Sequence, residues 1–334
     1  MSKSQRQTRG GMLMFTPACN AFDQDIWAKE LESFVPERVF DAHCHLWQEA
    51  NAGNNREYQS TLRLEVDGQR LEEWSRIIFP GRELGFYYLG TPLRDSDIQG
   101  HNAFLLQESQ HHHWPAAAIV TPQTTADQTA ELLTQGFVGL KPYRSFAADP
   151  AECSIADYLP EDQMAVADHY GKIITLHLSK RNGLADPANQ ADLARYTKKY
   201  PRVTWILAHC ARAFNSFMLE DTIWKLAEMG DNVWCDLSAV CDTYSHYLLL
   251  KHFNPRRLLF GSDNIAAGSD RGNYITWGRA WSFQPGQVCS HCDGQATLVV
   301  YEQLRAMKRA ADMAGSSQEQ IRNLFSDNAA TLFH

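Results

Sequence analysis

The sequence predicts an α/β fold in which eight parallel strands close into a (β/α)8 barrel, the TIM barrel. Two observations support this prediction: eight short apolar segments recur along the chain, and amphipathic helical segments separate most of them. Continuously apolar strands are typical of a parallel sheet that is covered on both faces. A doubly wound open sheet is the competing fold, but no Gly-x-Gly-x-x-Gly turn follows an early strand.

Length and composition indicate one large globular domain over residues 1–334. The chain has 334 residues, of which 44% are hydrophobic and 21% are charged, and α/β barrels commonly form single domains of about 250 residues or more. The net charge of −8 argues against nucleic acid as a partner. No apolar run reaches the roughly 18 residues that a membrane helix needs, and the N-terminus does not resemble a secretory signal. We therefore expect a cytoplasmic protein with no membrane partner.

The first part of the chain predicts an extension, a strand and an insertion. Residues 1–36 form the extension, with an amphipathic helix over 22–33, and the first strand follows at 38–41. Residues 48–83 are polar and rich in Gly, Asn and Gln, apart from a helical piece at 71–78. Because insertions at this end of a barrel usually cover the active site, we expect 48–83 to do so.

The remaining elements alternate along the chain. Further strands are predicted at 85–90, 116–121, 137–141, 172–177, 203–209, 232–237 and 257–263. Helices between them are predicted at 103–110, 126–135, 164–170, 190–200, 217–229 and 244–252. Residues 264–286 indicate a long loop after strand eight, rich in Gly and aromatic residues, and loops of that length are usually functional. Helices at 294–314 and 318–333 would complete the outer ring.

The eight cysteines are scattered, and without an export signal we expect reduced thiols. Cys289 and Cys292 have the spacing of a zinc half-site, but no second pair lies nearby at the spacing of a zinc finger. A structural metal is therefore disfavoured there. The run 111–113 of three histidines is expected to be a solvated helix end.

The first predicted strand ends in His43 and His45. Side chains at i and i+2 of an extended segment share a face, so both imidazoles can be directed at one point. Imidazole is a common ligand of zinc and similar ions. On its own, such a pair arises easily by chance in a chain with 13 histidines, so the other strand ends must supply further ligands.

The carboxyl ends of the other predicted strands do supply such residues. Strand four ends in Lys141, strand five in His177, strand six in His209, strand seven near Asp236 and strand eight in Asp263. In a TIM barrel these ends converge on one mouth, where the chemistry occurs. The coincidence of strands one, five, six and eight therefore predicts a metal site at that mouth.

With these residues the sequence resembles the amidohydrolase superfamily, in its branch of metal-dependent hydrolases and decarboxylases. The resemblance spans about 39–333 and rests on Asp41-Ala-His43-Cys-His45, Gly139-Leu-Lys141, Thr175-Leu-His177, Leu207-Ala-His209, Leu259-Phe-Gly-Ser-Asp263 and the terminal Asn328-Ala-Ala-Thr-Leu-Phe333. It implies that His43, His45, His177 and Asp263 hold a divalent metal, usually zinc, with His209 beside it. It also implies that Asp263 is the catalytic base.

The roles of the cationic side chains stay open. Lys141 is interpreted either as a carboxylated lysine that bridges two metals, as in some superfamily members, or as a substrate-facing cation, or as a member of a structural salt bridge. Arg144, Arg181 and Arg212 closely follow strands four, five and six. An arginine fork pairs with carboxylates, so any of these could bind an acidic substrate.

The first functional hypothesis is a metal-dependent hydrolase that acts on a C–O or C–N bond of a small carboxylate-bearing substrate, such as a lactone or amide. In it, Asp263 takes a proton from water and His209 hydrogen-bonds the substrate carbonyl oxygen. A metal-dependent decarboxylase is the alternative, and a catalytically inactive binding barrel is a third hypothesis. Zinc is the first expectation for the metal, with manganese, iron or magnesium as alternatives. A homodimer is an assembly that the chain could form.

Overall fold

A computed structural model describes residues 7–9, 12–14, 19–53, 65–91, 93–264, 270–284, 291–292 and 294–333. Its centre is an eight-stranded sheet in which every neighbouring pair is parallel and strand order follows chain order. The strands are β1 (Arg38–Leu46), β2 (Glu83–Gly90), β3 (Ala116–Val120), β4 (Gly139–Pro142), β5 (Ile173–Leu176), β6 (Thr204–Leu207), β7 (Val233–Asp236) and β8 (Leu258–Leu259). The prediction of a (β/α)8 barrel is confirmed.

The barrel closes between β1 and the residues at and just after β8. The amide of Ala42 donates to the carbonyl of Phe260 at 2.9 Å, and the amide of Asp263 donates to the carbonyl of His43 at 2.8 Å. A register shift lies in β1 between Asp41 and Cys44, against β2. Such a bulge bends a strand and redirects its side chains. The predicted strand stopped at Asp41, but pairing across the bulge continues it to Leu46.

The C-terminal helix plugs the amino-terminal end of the barrel. The ring of Phe333 lies 4.5 Å from that of Tyr87 and 5.3 Å from that of Phe40, which sits near the start of β1. Small and apolar side chains, including Ala117 and Ile206, fill the interior above these rings. The carboxyl ends of the strands, at the opposite mouth, are therefore the part of the barrel that is free for a site.

Helices surround the sheet much as predicted. Their bounds are Ala21–Ile26, Gly68–Ile78, Ile98–His112, Ala126–Gln135, Ile155–Tyr158, Glu161–Tyr170, Pro187–Lys199, Phe217–Glu220, Ile223–Ala227, Thr243–His252, Val299–Ala314, Gln318–Arg322 and Asn328–Phe333. The single helix predicted over 217–229 is two short helices. They separate near Thr222, whose hydroxyl donates to the carbonyl of Met218 at 2.8 Å and so competes with the helical backbone bonds.

The predicted long loop 264–286 contains an antiparallel hairpin, which corrects that prediction. Its strands are Asn273–Trp277 and Ala280–Gln284, and Gly278 turns between them at φ 58°. A positive φ at a tight turn is what glycine permits at least cost. Residues 54–64 of the predicted insertion, and 265–269 and 285–286 of this segment, lie outside the described residues. Within the described ranges, no helix has the length and apolar character needed to cross a membrane.

Candidate metal centre

Three side chains at the mouth of the barrel form a compact set of metal-ligand atoms. The ligand atoms of His43, His45 and Asp263 lie within 4.8 Å of one another. Asp263 Oδ1 is 3.1 Å from His45 Nε2 and 3.6 Å from His43 Nε2. Both imidazoles are buried, with side-chain exposures of 2% and 6%. A nitrogen–nitrogen–oxygen set of this size suits a small divalent cation.

Barrel closure brings these residues together from opposite ends of the sheet. The carboxylate of Asp41 accepts hydrogen bonds from the amides of His43 at 3.1 Å and Ser262 at 2.9 Å, and also from the hydroxyl of Ser262. Asp41 thereby joins the bulge of β1 to the segment that follows β8. This contact places His43 next to Asp263, which takes the left-handed backbone conformation at φ 55°.

Each histidine of the site has its Nδ1 atom held by an acceptor oxygen. Nδ1 of His43 donates to Asp236 Oδ2 at 2.8 Å, and Nδ1 of His45 donates to the carbonyl of Gly90 at 3.0 Å. Nδ1 of His177 donates to the carbonyl of Leu178 at 2.8 Å, and Nδ1 of His209 donates to the carbonyl of Ser238 at 3.1 Å. Since these oxygens only accept, Nδ1 carries the proton and Nε2 presents its lone pair. That is the tautomer in which an imidazole binds a metal, fixed by an outer hydrogen bond.

Electrostatics put His43, His177 and Asp263 in metal-binding protonation states. Burial, aided by the nearby ammonium of Lys141, lowers the pKa of His43 to about 3. Burial also holds the pKa of His177 well below its usual value. For Asp263, burial acts to raise the pKa, but the neighbouring side chains of His45, His209 and His43 hold it well below its usual range. The rings of His43 and His177 are therefore neutral and the Asp263 carboxylate is charged, as cation binding requires.

Asp236, to which the sequence assigned no role, contacts two histidines of the site. It is fully buried at the end of β7, where Oδ2 binds His43 and Oδ1 accepts from the amides of His209 at 3.0 Å and Ser238 at 3.1 Å. Its position near a predicted strand end was the available signal. Its contact with His43 could not be read from the sequence, because the two residues are 193 positions apart in the chain.

His209 lies in a left-handed turn, beyond the end of its strand. The predicted strand 203–209 ends at Leu207, and the four residues from His209 to Arg212 have φ between 54° and 62°. Each non-glycine residue in this conformation costs roughly 1–2 kcal/mol. The turn brings the His209 ring to 4.8 Å from that of His43 and 5.0 Å from that of His177. Strain of this kind concentrates at functional sites.

A cavity of about 330 Å³ opens over these residues. Its lining comprises His43, His45, Trp47, Thr91, Lys141, Tyr143, Arg144, Ser145, Pro150, His177, His209 and Asp263. His177 therefore faces the same cavity, although it lies outside the three-residue set of ligand atoms. The sequence did not point to Tyr143. Its hydroxyl donates to the carbonyl of Gly90 at 2.7 Å, and the same carbonyl accepts from Nδ1 of His45.

The predicted cationic residues divide between the cavity and its surroundings. Lys141 is fully buried, with its Nζ 3.4 Å from His43 Nε2, and burial lowers its pKa to about 8. Arg144 lines the cavity while donating to the carbonyl of Pro150 at 2.6 Å.

The other two arginines lie outside the cavity lining. Arg212 donates to the carbonyls of Ser179 and Lys180, and Arg181 is exposed in an ion pair with Glu152 at 3.5 Å. Of the disfavoured cysteine half-site, Cys292 is exposed and Cys289 lies outside the described residues.

Solved structures share this architecture at low sequence identity. A 4-oxalomesaconate hydratase from Rhodopseudomonas palustris matches with a TM-score of 0.55 and 14% identity, over 88% of this chain and 95% of that chain. A proposed 2-pyrone-4,6-dicarboxylic acid hydrolase from Pseudomonas putida matches with a TM-score of 0.55 and 14% identity, over 90% of this chain and 98% of that chain. A 5-carboxyvanillate decarboxylase from Novosphingobium aromaticivorans, complexed with manganese, matches with a TM-score of 0.52 and 13% identity, over 90% of this chain and 97% of that chain. At such identities the likeness shows the fold alone.

Family membership rests on the sequence itself. A search of curated proteins returns no match for this chain. The amidohydrolase family model, however, matches residues 40–334, which is most of the chain and includes every residue of the cavity lining. The chain therefore belongs to the amidohydrolase family of enzymes.

Proposed function

We propose that this enzyme is a metal-dependent hydrolase that acts on a C–O or C–N bond of a small, carboxylate-bearing substrate such as a lactone or amide. The set of His43, His45 and Asp263, with its Nε2 lone pairs and charged carboxylate in one cavity, is the observation that supports it. These three residues and His177 would hold the cation. Zinc is the first candidate because nitrogen-rich sites of this kind suit it.

The residues of the site have distinct tasks in the proposed reaction. When bound, a divalent cation acidifies water and polarises a carbonyl group. Asp263, held ionised, accepts the proton of the attacking water. The neutral ring of His209 has its lone pair on Nε2, because Nδ1 donates to Ser238. His209 therefore donates to the substrate carbonyl oxygen only after it has taken up a proton.

The cavity supports the choice of an acidic substrate. Its volume of about 330 Å³ suits a small molecule. Arg144 lines one side, and the buried Lys141 adds a second positive group next to His43. Cationic groups in a buried pocket attract a carboxylate more strongly than they do in water. The substrate for which the Pseudomonas putida protein is named, a pyrone dicarboxylic acid, is a lactone of this class.

Paired substitutions test the proposed site. We expect His43→Ala and Asp263→Asn to lose bound cation, measured by elemental analysis, and to lose turnover in a screen of lactones, amides and aromatic carboxylates. His169→Ala, which changes an exposed histidine on the helix Glu161–Tyr170, is the matched control and keeps both. A His43 or Asp263 variant that keeps its cation and its turnover would overturn the site. A count of one ion per chain would exclude a carboxylated Lys141 that bridges two metals.

Decarboxylation is the second candidate, because the Novosphingobium aromaticivorans protein of the same fold is a decarboxylase complexed with manganese. In this reaction the residues that would hold the cation would also fix the substrate carboxylate, the C–C bond to that carboxylate would break with release of CO2, and a protonated side chain would deliver a proton to the carbon left behind. Measurement of released CO2 separates the two reactions. Stoichiometric CO2 from any turned-over substrate would replace the hydrolase proposal with this one.

A further inference from the structure

We propose that Trp281, on the hairpin 273–284, is a positioning residue that sets the orientation of the His209 ring through Phe214. This inference rests on the proposed function, because it assigns His209 to the active cavity. Phe214 and Trp281 lie outside the lining of that cavity, and Trp281 lies in a segment for which the sequence predicted a loop.

Three aromatic rings form a continuous stack that leads out of the site. The His209 ring lies 5.2 Å from that of Phe214, with 29° between the ring planes. Phe214 in turn lies 4.3 Å from Trp281 at 19°. His43 packs against the His209 ring at 4.8 Å. Because Nδ1 of His209 is held by Ser238, contact with Phe214 restricts the remaining rotation of the ring.

The hairpin also holds the backbone that follows His209. The Tyr274 hydroxyl donates to the carbonyl of Phe214 at 2.5 Å, and Asn215 Nδ2 donates to the carbonyl of Gly278 at 2.9 Å. These contacts come directly after the left-handed run that begins at His209. A turn in that conformation is strained and persists only where surrounding contacts fix it. The hairpin supplies such contacts on the carboxyl-terminal side of the turn.

The hairpin contains its own control. Trp277 lies on the first strand of the same hairpin and is 55% exposed, whereas Trp281 is partly buried against Phe214. Loss of either indole removes a tryptophan from the same element. Loss of Trp281 alone removes the ring that supports Phe214.

Nuclear magnetic resonance of protein labelled with 15N-histidine, free of cation and substrate, tests the proposal. The His209 ring signals are assigned from the spectrum of His209→Gln. In Trp281→Ala we expect the Nδ1 and Nε2 shifts of His209 to move towards each other, as the second tautomer becomes populated. Trp281→Phe restores the wild-type shifts by restoring the stack, and Trp277→Ala leaves them unchanged.

The outcomes are separable from those of the proposed function. Unchanged His209 shifts in a folded Trp281→Ala protein would overturn the positioning role, whatever reaction the enzyme catalyses. If that variant does not fold, Trp281→Leu, which keeps an apolar side chain but removes the ring stacked on Phe214, takes its place. A changed His209 signal in this variant supports the proposal, and an unchanged one overturns it. Because neither cation nor substrate is present, failure of the hydrolase proposal does not alter these results.

Discussion

Replacement of Asp236 by Asn alters one contact of the site with little other disturbance. Asp236 Oδ1 accepts from the amide of His209 and from the amide and hydroxyl of Ser238, whereas Nδ1 of His43 is the one partner of Oδ2 in the described part of the chain. An asparagine whose oxygen takes the Oδ1 position keeps the first three bonds. Its amide group then faces His43 as a donor, so Nδ1 must become the acceptor. The proton moves to Nε2, and the lone pair that faces Asp263 is lost.

The size of the effect follows from this change in tautomer. Loss of the outer hydrogen-bond partner of a metal-binding histidine typically weakens metal affinity by about 10–100-fold, which corresponds to roughly 1.4–2.7 kcal/mol. We expect Asp236→Asn to fall in this range for Zn²⁺. The measurement is a competitive titration of cation-free protein against a chromophoric chelator, together with a thermal melt to verify folding.

A matched control isolates the contact from the charge. Asp127→Asn removes the same charge from an exposed position in the first turn of the helix Ala126–Gln135, away from the cavity. Its Zn²⁺ affinity should equal that of the unmodified protein. If Asp236→Asn also bound Zn²⁺ within about twofold of the unmodified protein, the assigned role of Asp236 in fixing the His43 tautomer would be refuted.

Two further predictions concern stability. Burial lowers the pKa of His246 to about 4, and its Nε2 donates to the carbonyl of Val240 at 2.7 Å. In the unfolded chain the same imidazole takes up a second proton below about pH 6.5. The free energy of unfolding should therefore fall by up to about 3 kcal/mol as the pH is lowered from 6.5 to 4. His246→Gln keeps a donor without titrating, so urea unfolding at a series of pH values should show a flatter decline, and an unchanged slope would contradict this assignment. Asp23 is buried in an ion pair with Arg271, and Asp23→Ala should cost about 3 kcal/mol in urea unfolding. Lys29→Ala, which breaks an exposed pair, should cost less than about 1 kcal/mol, and equal losses would refute the role of burial.

The sequence predicted the barrel because its signal is local. Each strand is a short apolar run, and helix patterns separate most of these runs, so the order of elements is readable without distances. Residues at strand ends converge by the geometry of the fold. That geometry is why His43, His45, His177, His209 and Asp263 could be collected into one cavity before any contact was known. Their roles as ligands and catalyst stay predictions until cation binding is measured.

Other features depended on contacts between residues far apart in the chain. The boundary of β1 required the bulge that pairing with β2 produces, and His209 left its strand because long-range contacts compensate a strained turn. The 273–284 segment formed a hairpin although its composition indicated a loop. Arg144 and Arg212 have similar positions after their strands, yet only Arg144 lines the cavity.

The sequence by itself therefore determined the class of fold and which residue types meet at its mouth, since both follow from periodicity and order along the chain. The tertiary structure alone decided which nitrogen of His43, His45 and His209 is free, because Asp236, Gly90 and Ser238 reach those rings only after the barrel closes. Tautomer and ring orientation depend on hydrogen-bond distances of about 3 Å between segments distant in sequence. No local pattern of residues contains that information.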